Sequence, residues 1–145
     1  MAKIIKIISI LFIVINFINS VHAENIFLED GIKKYNQKKY EDSKFLFQRS
    51  IVFNPKDYNS YLYLAKIYKF EDNKKEEQKN INTVLLLDPK NEEANYLLME
   101  IELKKSNYSK VRELAKNFKK FCINLCDKEN LILESLKDLE PKNES

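Results

Sequence analysis

The chain has 145 residues, with 25 Lys+Arg against 22 Asp+Glu, one His, one Gly and two Cys; that length admits a single domain. The lone histidine, His22, falls within an apolar leader, so the rest of the chain lacks the commonest general base, and the lone glycine, Gly31, cannot build a phosphate-binding loop. Both absences point away from catalysis, and the interspersed charges leave no basic stripe of the kind that binds nucleic acid.

The leader reads MAKIIKIISILFIVINFINSVHA. Lys3 and Lys6 precede an apolar run over residues 7–18, and Val21-His22-Ala23 sets small residues before a cut. This order of basic, apolar and small segments is that of a secretory signal, with cleavage expected after Ala23. The alternative is an uncleaved membrane anchor, although the 12-residue run falls short of the roughly 20 a spanning helix needs. No cysteine follows the run, so a lipid anchor is not indicated. Residues 24–145 carry 23 Lys+Arg and 22 Asp+Glu, nearly neutral. The expected location is outside the cytoplasm, most naturally a bacterial periplasm, with membrane-anchored or secreted placement as alternatives.

Beyond the leader the chain repeats itself. FNPKDYNSYLYLAKIY, ending at Tyr68, aligns with LDPKNEEANYLLMEIE when Pro55 is set over Pro89, an offset of 34. Tyr40 and Tyr108 stand two such steps apart. Each unit carries two runs of helical apolar spacing: Tyr61, Leu64, Ala65 and Tyr68 follow i, i+3, i+4, i+7, and Ile81, Val84 and Leu85 begin the next. Asn54-Pro55 and Asp88-Pro89 end the preceding helices, because proline cannot donate and restricts its predecessor. Two short helices cannot bury their apolar faces alone, so the units must stack. The segment from Asp127 predicts a covering helix, with Asp127 as N-cap, an inward stripe of Leu131, Ile132, Ser135, Leu136 and Leu139, and Glu134, Lys137 and Asp138 outward.

With Phe27, Gly31, Tyr40, Phe47 and Pro55 in the first unit, Tyr61, Leu64, Ala65, Tyr68, Ile81, Val84 and Pro89 in the second, and Leu98, Tyr108, Val111, Ala115 and Phe118 in the third, the chain resembles the tetratricopeptide repeat family over about 100 residues. Departures are Asp30 for Leu, Glu77 for Ala, Asn95 for an aromatic, Met99 for a small residue, and no proline closing the third unit. The resemblance implies an all-α solenoid with units at 24–57, 58–91 and 92–125, a capping helix at 126–140 and a loose tail at 141–145. It also implies a concave groove lined by the first helix of each unit. By register that groove holds Leu28, Ile32, Tyr35, Asn59, Leu62, Lys66, Lys69, Phe70, Tyr96 and Glu100, suited to an extended peptide or a helix. The positions with which family members grip a C-terminal carboxylate hold Leu28, Ile32, Glu93 and Leu97, so that clamp is absent.

The repeat register puts the third inter-repeat turn at Cys122 to Leu125, with Cys126 directly after it. Two readings beyond inert thiols stay open: a structural disulfide, favoured by an oxidising compartment and permitted if the helix breaks there, and redox chemistry. No metal site and no cofactor are expected. The leading functional expectation is a non-catalytic scaffold that binds another protein or peptide; the alternatives are a thiol–disulfide protein and a membrane-tethered assembly factor.

Overall fold

The computed structural model describes residues 26–139, so the cleavage expected at Ala23 and the tail expected at 141–145 lie outside the described residues. Among the described residues there are seven helices and no strand. Helix α1 covers residues 26–36, followed by α2 Tyr40–Phe53, α3 Tyr58–Phe70, α4 Lys74–Leu87, α5 Glu92–Lys104, α6 Tyr108–Phe118 and α7 Cys126–Leu139. Starts of the even helices fall at 40, 74 and 108, and those of α3, α5 and α7 at 58, 92 and 126, a constant step of 34 in both series. The architecture is all-α, a helical-hairpin repeat of the α-solenoid class. Contacts divide the chain into two compact units, one reaching Ile67 and the other starting at Tyr68.

The turn inside each hairpin is the same device three times. Lys38, Asp72 and Ser106 take φ of 59°, 53° and 59°, the left-handed conformation that ends a helix. Lys38 N–H donates to the Tyr35 carbonyl at 2.8 Å and Lys39 N–H to that of Lys34 at 3.0 Å. Asp72 and Asn73 repeat the pair toward Lys69 and Tyr68, and Ser106 and Asn107 repeat it toward Leu103 and Glu102. These are Schellman closures, which satisfy carbonyls that a helix end leaves open. Glycine is the usual occupant, and none stands here.

The turns between hairpins use side chains instead. Asn54 Oδ1 accepts from Lys56 N–H at 3.0 Å and Asp88 Oδ1 from Lys90 N–H at 3.3 Å, with Pro55 and Pro89 between them. Asp57 then caps α3, its Oδ1 accepting from Asn59 N–H at 3.1 Å, and Asn91 caps α5 by accepting from Ala94 N–H at 3.0 Å. At the third turn Cys122 occupies the place of Asn54 and Asp88, and no proline follows. Here Glu92 of α5 supplies what the loop lacks: its carboxylate accepts from the N–H groups of Ile123 at 2.9 Å, Asn124 at 3.0 Å and Leu125 at 2.7 Å. Cys122 lies beyond the end of α6 and is joined to Cys126 by a disulfide, with Cα atoms 5.3 Å apart.

In the first unit the core centres on Phe47, fully buried, stacked on Tyr63 with ring centroids 5.1 Å apart. Gly31 of α1 lets the Phe47 ring approach, and Ser43 Oγ donates to the Gly31 carbonyl at 2.9 Å across the same contact. In the second unit Met99, Val111, Ala115, Phe118, Ile132 and Leu136 form one cluster. Repeat-equivalent positions trade volume: the small Gly31 meets the large Phe47, whereas the large Met99 shares its cluster with the small Ala115. That exchange accounts for Met99 standing where a small residue is usual. Asn95, the other departure in that helix, keeps a polar duty of its counterpart. Tyr61 Oη donates to the Pro55 carbonyl at 3.3 Å, and Asn95 Nδ2 to the Pro89 carbonyl at 3.1 Å.

Two expectations need correction. Helix α7 starts at Cys126, so Asp127 lies in its first turn and is not the N-cap. Its buried residues are Glu129, Ile132 and Leu136, while Leu131, Ser135 and Leu139 are exposed. The face is rotated because α7 continues the register of α5: Glu129 and Leu136 take the buried places that Asn95 and Glu102 hold one repeat earlier.

Candidate functional site

The residues expected to line the groove fall into the two units and are taken in turn. In the first, Leu28, Ile32, Tyr35, Asn59 and Lys66 are partly exposed. Tyr35 and Tyr63 meet edge to face at 5.1 Å. The Lys66 ammonium stands 4.9 Å from the Tyr63 ring centre and 5.5 Å from that of Tyr35, in cation–π range of both. Leu62 departs from expectation: it is 7% exposed and belongs to the core. It faces inward with Leu64 and Ala65 on a helix whose apolar arc is wider than one groove-lining stripe.

In the second unit Lys69, Glu100 and Tyr96 form a connected polar row. Lys69 at the end of α3 donates to Glu100 Oε2 of α5 in a half-buried ion pair. Tyr96, one turn before Glu100, donates to Glu100 Oε1 at 3.2 Å. Lys128 of α7 then covers the Tyr96 ring at 5.4 Å. Burial first, and then the Glu100 carboxylate beside it, push the Tyr96 hydroxyl above its ordinary value, which keeps it a donor. Phe70 follows Lys69 in the chain and is a large apolar side chain that is 70% exposed.

The charges of Lys69 and Glu100 also act on a buried carboxylate. Glu77 of α4, in place of the usual alanine, is 4% exposed. Burial raises its carboxyl above the ordinary value; Lys104 and Lys69 work against that rise, and Glu100 and Asp72 add to it. Lys69 thus serves two carboxylates, which a pattern of apolar spacing cannot disclose. Lys104 itself is exposed.

Among the described residues no group of His, Cys, Asp and Glu is arranged to hold a metal ion, and no helix is long and apolar enough to cross a membrane. A shallow cavity between α6 and α7, lined by Arg112, Leu133, Glu134 and Lys137, contains none of the expected site residues.

No family model and no curated protein matches the chain by sequence. Solved structures do match its fold. The TPR domain of Arabidopsis OM64 superimposes with a TM-score of 0.72 at 13% identity, over 82% of this chain and 98% of that one. The Sgt2 TPR domain from Aspergillus fumigatus gives 0.65 at 14% identity, over 84% and 87%. A chain of the CopN-Scc3 complex gives 0.62 at 14% identity, over 81% and 69%. The fold is that of tetratricopeptide repeat domains.

Proposed function

We propose that the chain is a non-catalytic interaction scaffold, acting outside the cytoplasm, that binds a segment of another protein on the first-helix faces of its hairpins. The observation that carries the reading is the connected row Lys69, Glu100, Tyr96 and Lys128, with the exposed Phe70 following Lys69 in the chain. Three polar groups are fixed in place by one another, so a partner meets a preorganised surface and little side-chain entropy is lost on binding. Aromatic side chains are among those from which interface hot spots are drawn, and Tyr96 in the row and the exposed Phe70 are both aromatic. One structural neighbour is itself part of a protein–protein complex, CopN with Scc3, which agrees with this use of the fold. The leader over residues 1–23 and the disulfide between Cys122 and Cys126 support passage into an oxidising compartment. We read the disulfide as a staple for the third turn, because it lies where the other two turns carry an Asn-Pro or Asp-Pro closure.

Affinity capture from an envelope extract tests this. Wild-type chain retains a discrete partner, Phe70→Asp and Tyr96→Asp lose it, and Leu86→Asp, changed on an exposed site of α4, keeps it. Equal retention by all four would remove the assignment.

A further inference from the structure

Helix α7 starts 34 residues after α5, so it stands where the first helix of a fourth hairpin would, and no later helix follows among the described residues. One repeat earlier, Met99 of α5 is fully buried in a cluster with Val111, Ala115 and Phe118 of α6. Leu133 takes the place of Met99 on α7 and is only partly buried. Leu131 takes the place of the buried Leu97 and is 50% exposed. Leu133 and Leu136 line the shallow cavity between α6 and α7, together with Arg112 of α6 and Glu134 and Lys137 of α7. A terminal helix of a repeat stack ordinarily turns a polar face outward. This one keeps leucines on the side where a further helix packs in the preceding repeat.

The two walls of that cavity carry opposite charge. Residues 108–120 hold five cations and one acid, and the acid, Glu113, is paired with Lys110 at 3.0 Å. Arg112, Lys116 and Lys119 follow i, i+4, i+7, so they form one exposed basic row along α6 and its end. On α7, Asp127, Leu131, Glu134 and Asp138 follow i, i+4, i+7, i+11, an exposed acidic row around a leucine. Of the two lysines on α7, Lys137 is exposed and Lys128 is held over the Tyr96 ring. Tyr108 Oη donates to the Leu139 carbonyl at 3.0 Å, which sets the start of α6 beside the end of α7. A surface with one basic and one acidic wall is complementary to a copy of itself turned through 180°, the condition for a two-fold contact. A helix of a wholly acidic partner would match the basic wall and oppose the other. We propose that two copies of this chain pair through α6 and α7 as a four-helix bundle, α7 of each copy lying in the cavity of the other with its acidic row on the partner's basic row. This surface is distinct from the charge row on α3 and α5, and it does not depend on that row binding a partner.

Sedimentation equilibrium of the chain, purified as cells produce it, tests this. Wild type is expected at the mass of two chains. Two charge-reversed variants are made, one with Lys116→Glu and Lys119→Glu, the other with Glu134→Lys and Asp138→Lys. All four positions are exposed, so both variants should fold, with helicity checked by circular dichroism. Alone, each variant sets like charges on one another at both symmetric contacts and is expected at the mass of one chain. Mixed in equal amounts, they are complementary at both contacts, and the mass of two chains returns. A monomeric wild type overturns the proposal. So does a dimer that either variant keeps on its own, which places self-association elsewhere on the chain, the leader included. A mixture that stays monomeric, or a cavity filled only by a helix of a different protein, overturns it as well.

Discussion

A methyl group on Gly31 would stand 2.7 Å from Cε1 of the Phe47 ring, closer than real side-chain carbons approach. Phe47 is fully buried and stacked on Tyr63, so its ring has nowhere to retreat. Gly31→Ala therefore sets a gain of up to about 1 kcal/mol in helix propensity against an overpacking cost of about 1–3 kcal/mol. The expected net loss is about 1 kcal/mol, measured by urea denaturation. Adding Phe47→Leu to Gly31→Ala restores part of it, because the smaller side chain vacates the contested space.

Lys38 and Ser106 hold left-handed backbone without glycine. Their side chains crowd the following carbonyl there, whereas glycine does not. Lys38→Gly and Ser106→Gly should each stabilise the protein by about 0.5–1 kcal/mol, read as a rise in the denaturation midpoint. Asp72→Gly should gain less, since aspartate tolerates this conformation.

Glu77 and Glu92 should respond to acid in opposite senses. Desolvation pushes the Glu92 carboxyl up, but the N–H bonds from Leu125, Ile123 and Asn124 outweigh it, and the group lies below its ordinary value. Its contribution is complete above the unfolded carboxyl pKa and is lost as pH falls through the lower folded value. Glu77 is raised, chiefly by burial, so its charged form is a penalty at neutral pH that protonation relieves as pH falls through the folded value. Glu77→Gln should be more stable than wild type at pH 7, with the gap closing in acid. Glu92→Gln should be less stable at pH 7, and that gap also closes in acid, from the opposite side. Denaturation midpoints taken from pH 7 down to 3 check both signs.

The staple between Cys122 and Cys126 closes a short loop, so reduction or the double change Cys122→Ser with Cys126→Ser should cost about 2 kcal/mol. The loss should be felt first at α7: its amides should exchange hydrogen faster than those of α5 once the bridge is gone.

Much of the fold was legible because the repeat writes its punctuation into residue chemistry. Pro55 and Pro89 mark helix ends, and the spacing of Tyr61, Leu64, Ala65 and Tyr68 marks a face, so the offset of 34 could be read directly. The hairpin turns were less legible, since Lys38 and Ser106 carry no glycine signal and only the hydrogen bonds disclose the closure. The Glu92 cradle and the Lys69–Glu100 pair join residues about 31 apart in the chain, which local spacing cannot reveal. Repeat register alone points Leu62 to the groove, but α3 is buried over a wider arc that includes Ser60, Leu62, Leu64, Ala65 and Ile67. The face of α7 was misjudged for a related reason. Its leucines lie on both sides, and only packing against α5 and α6 selects Ile132 and Leu136 over Leu131 and Leu139.

Photo-crosslinking in living cells tests most directly the proposal that a partner protein contacts Phe70 and Tyr96. A photoreactive residue at Phe70 should give one discrete protein adduct, whose yield falls when Tyr96→Asp is introduced in the same chain, while the same probe at Leu86 gives none. An adduct at position 86 with position 70 silent would contradict the account.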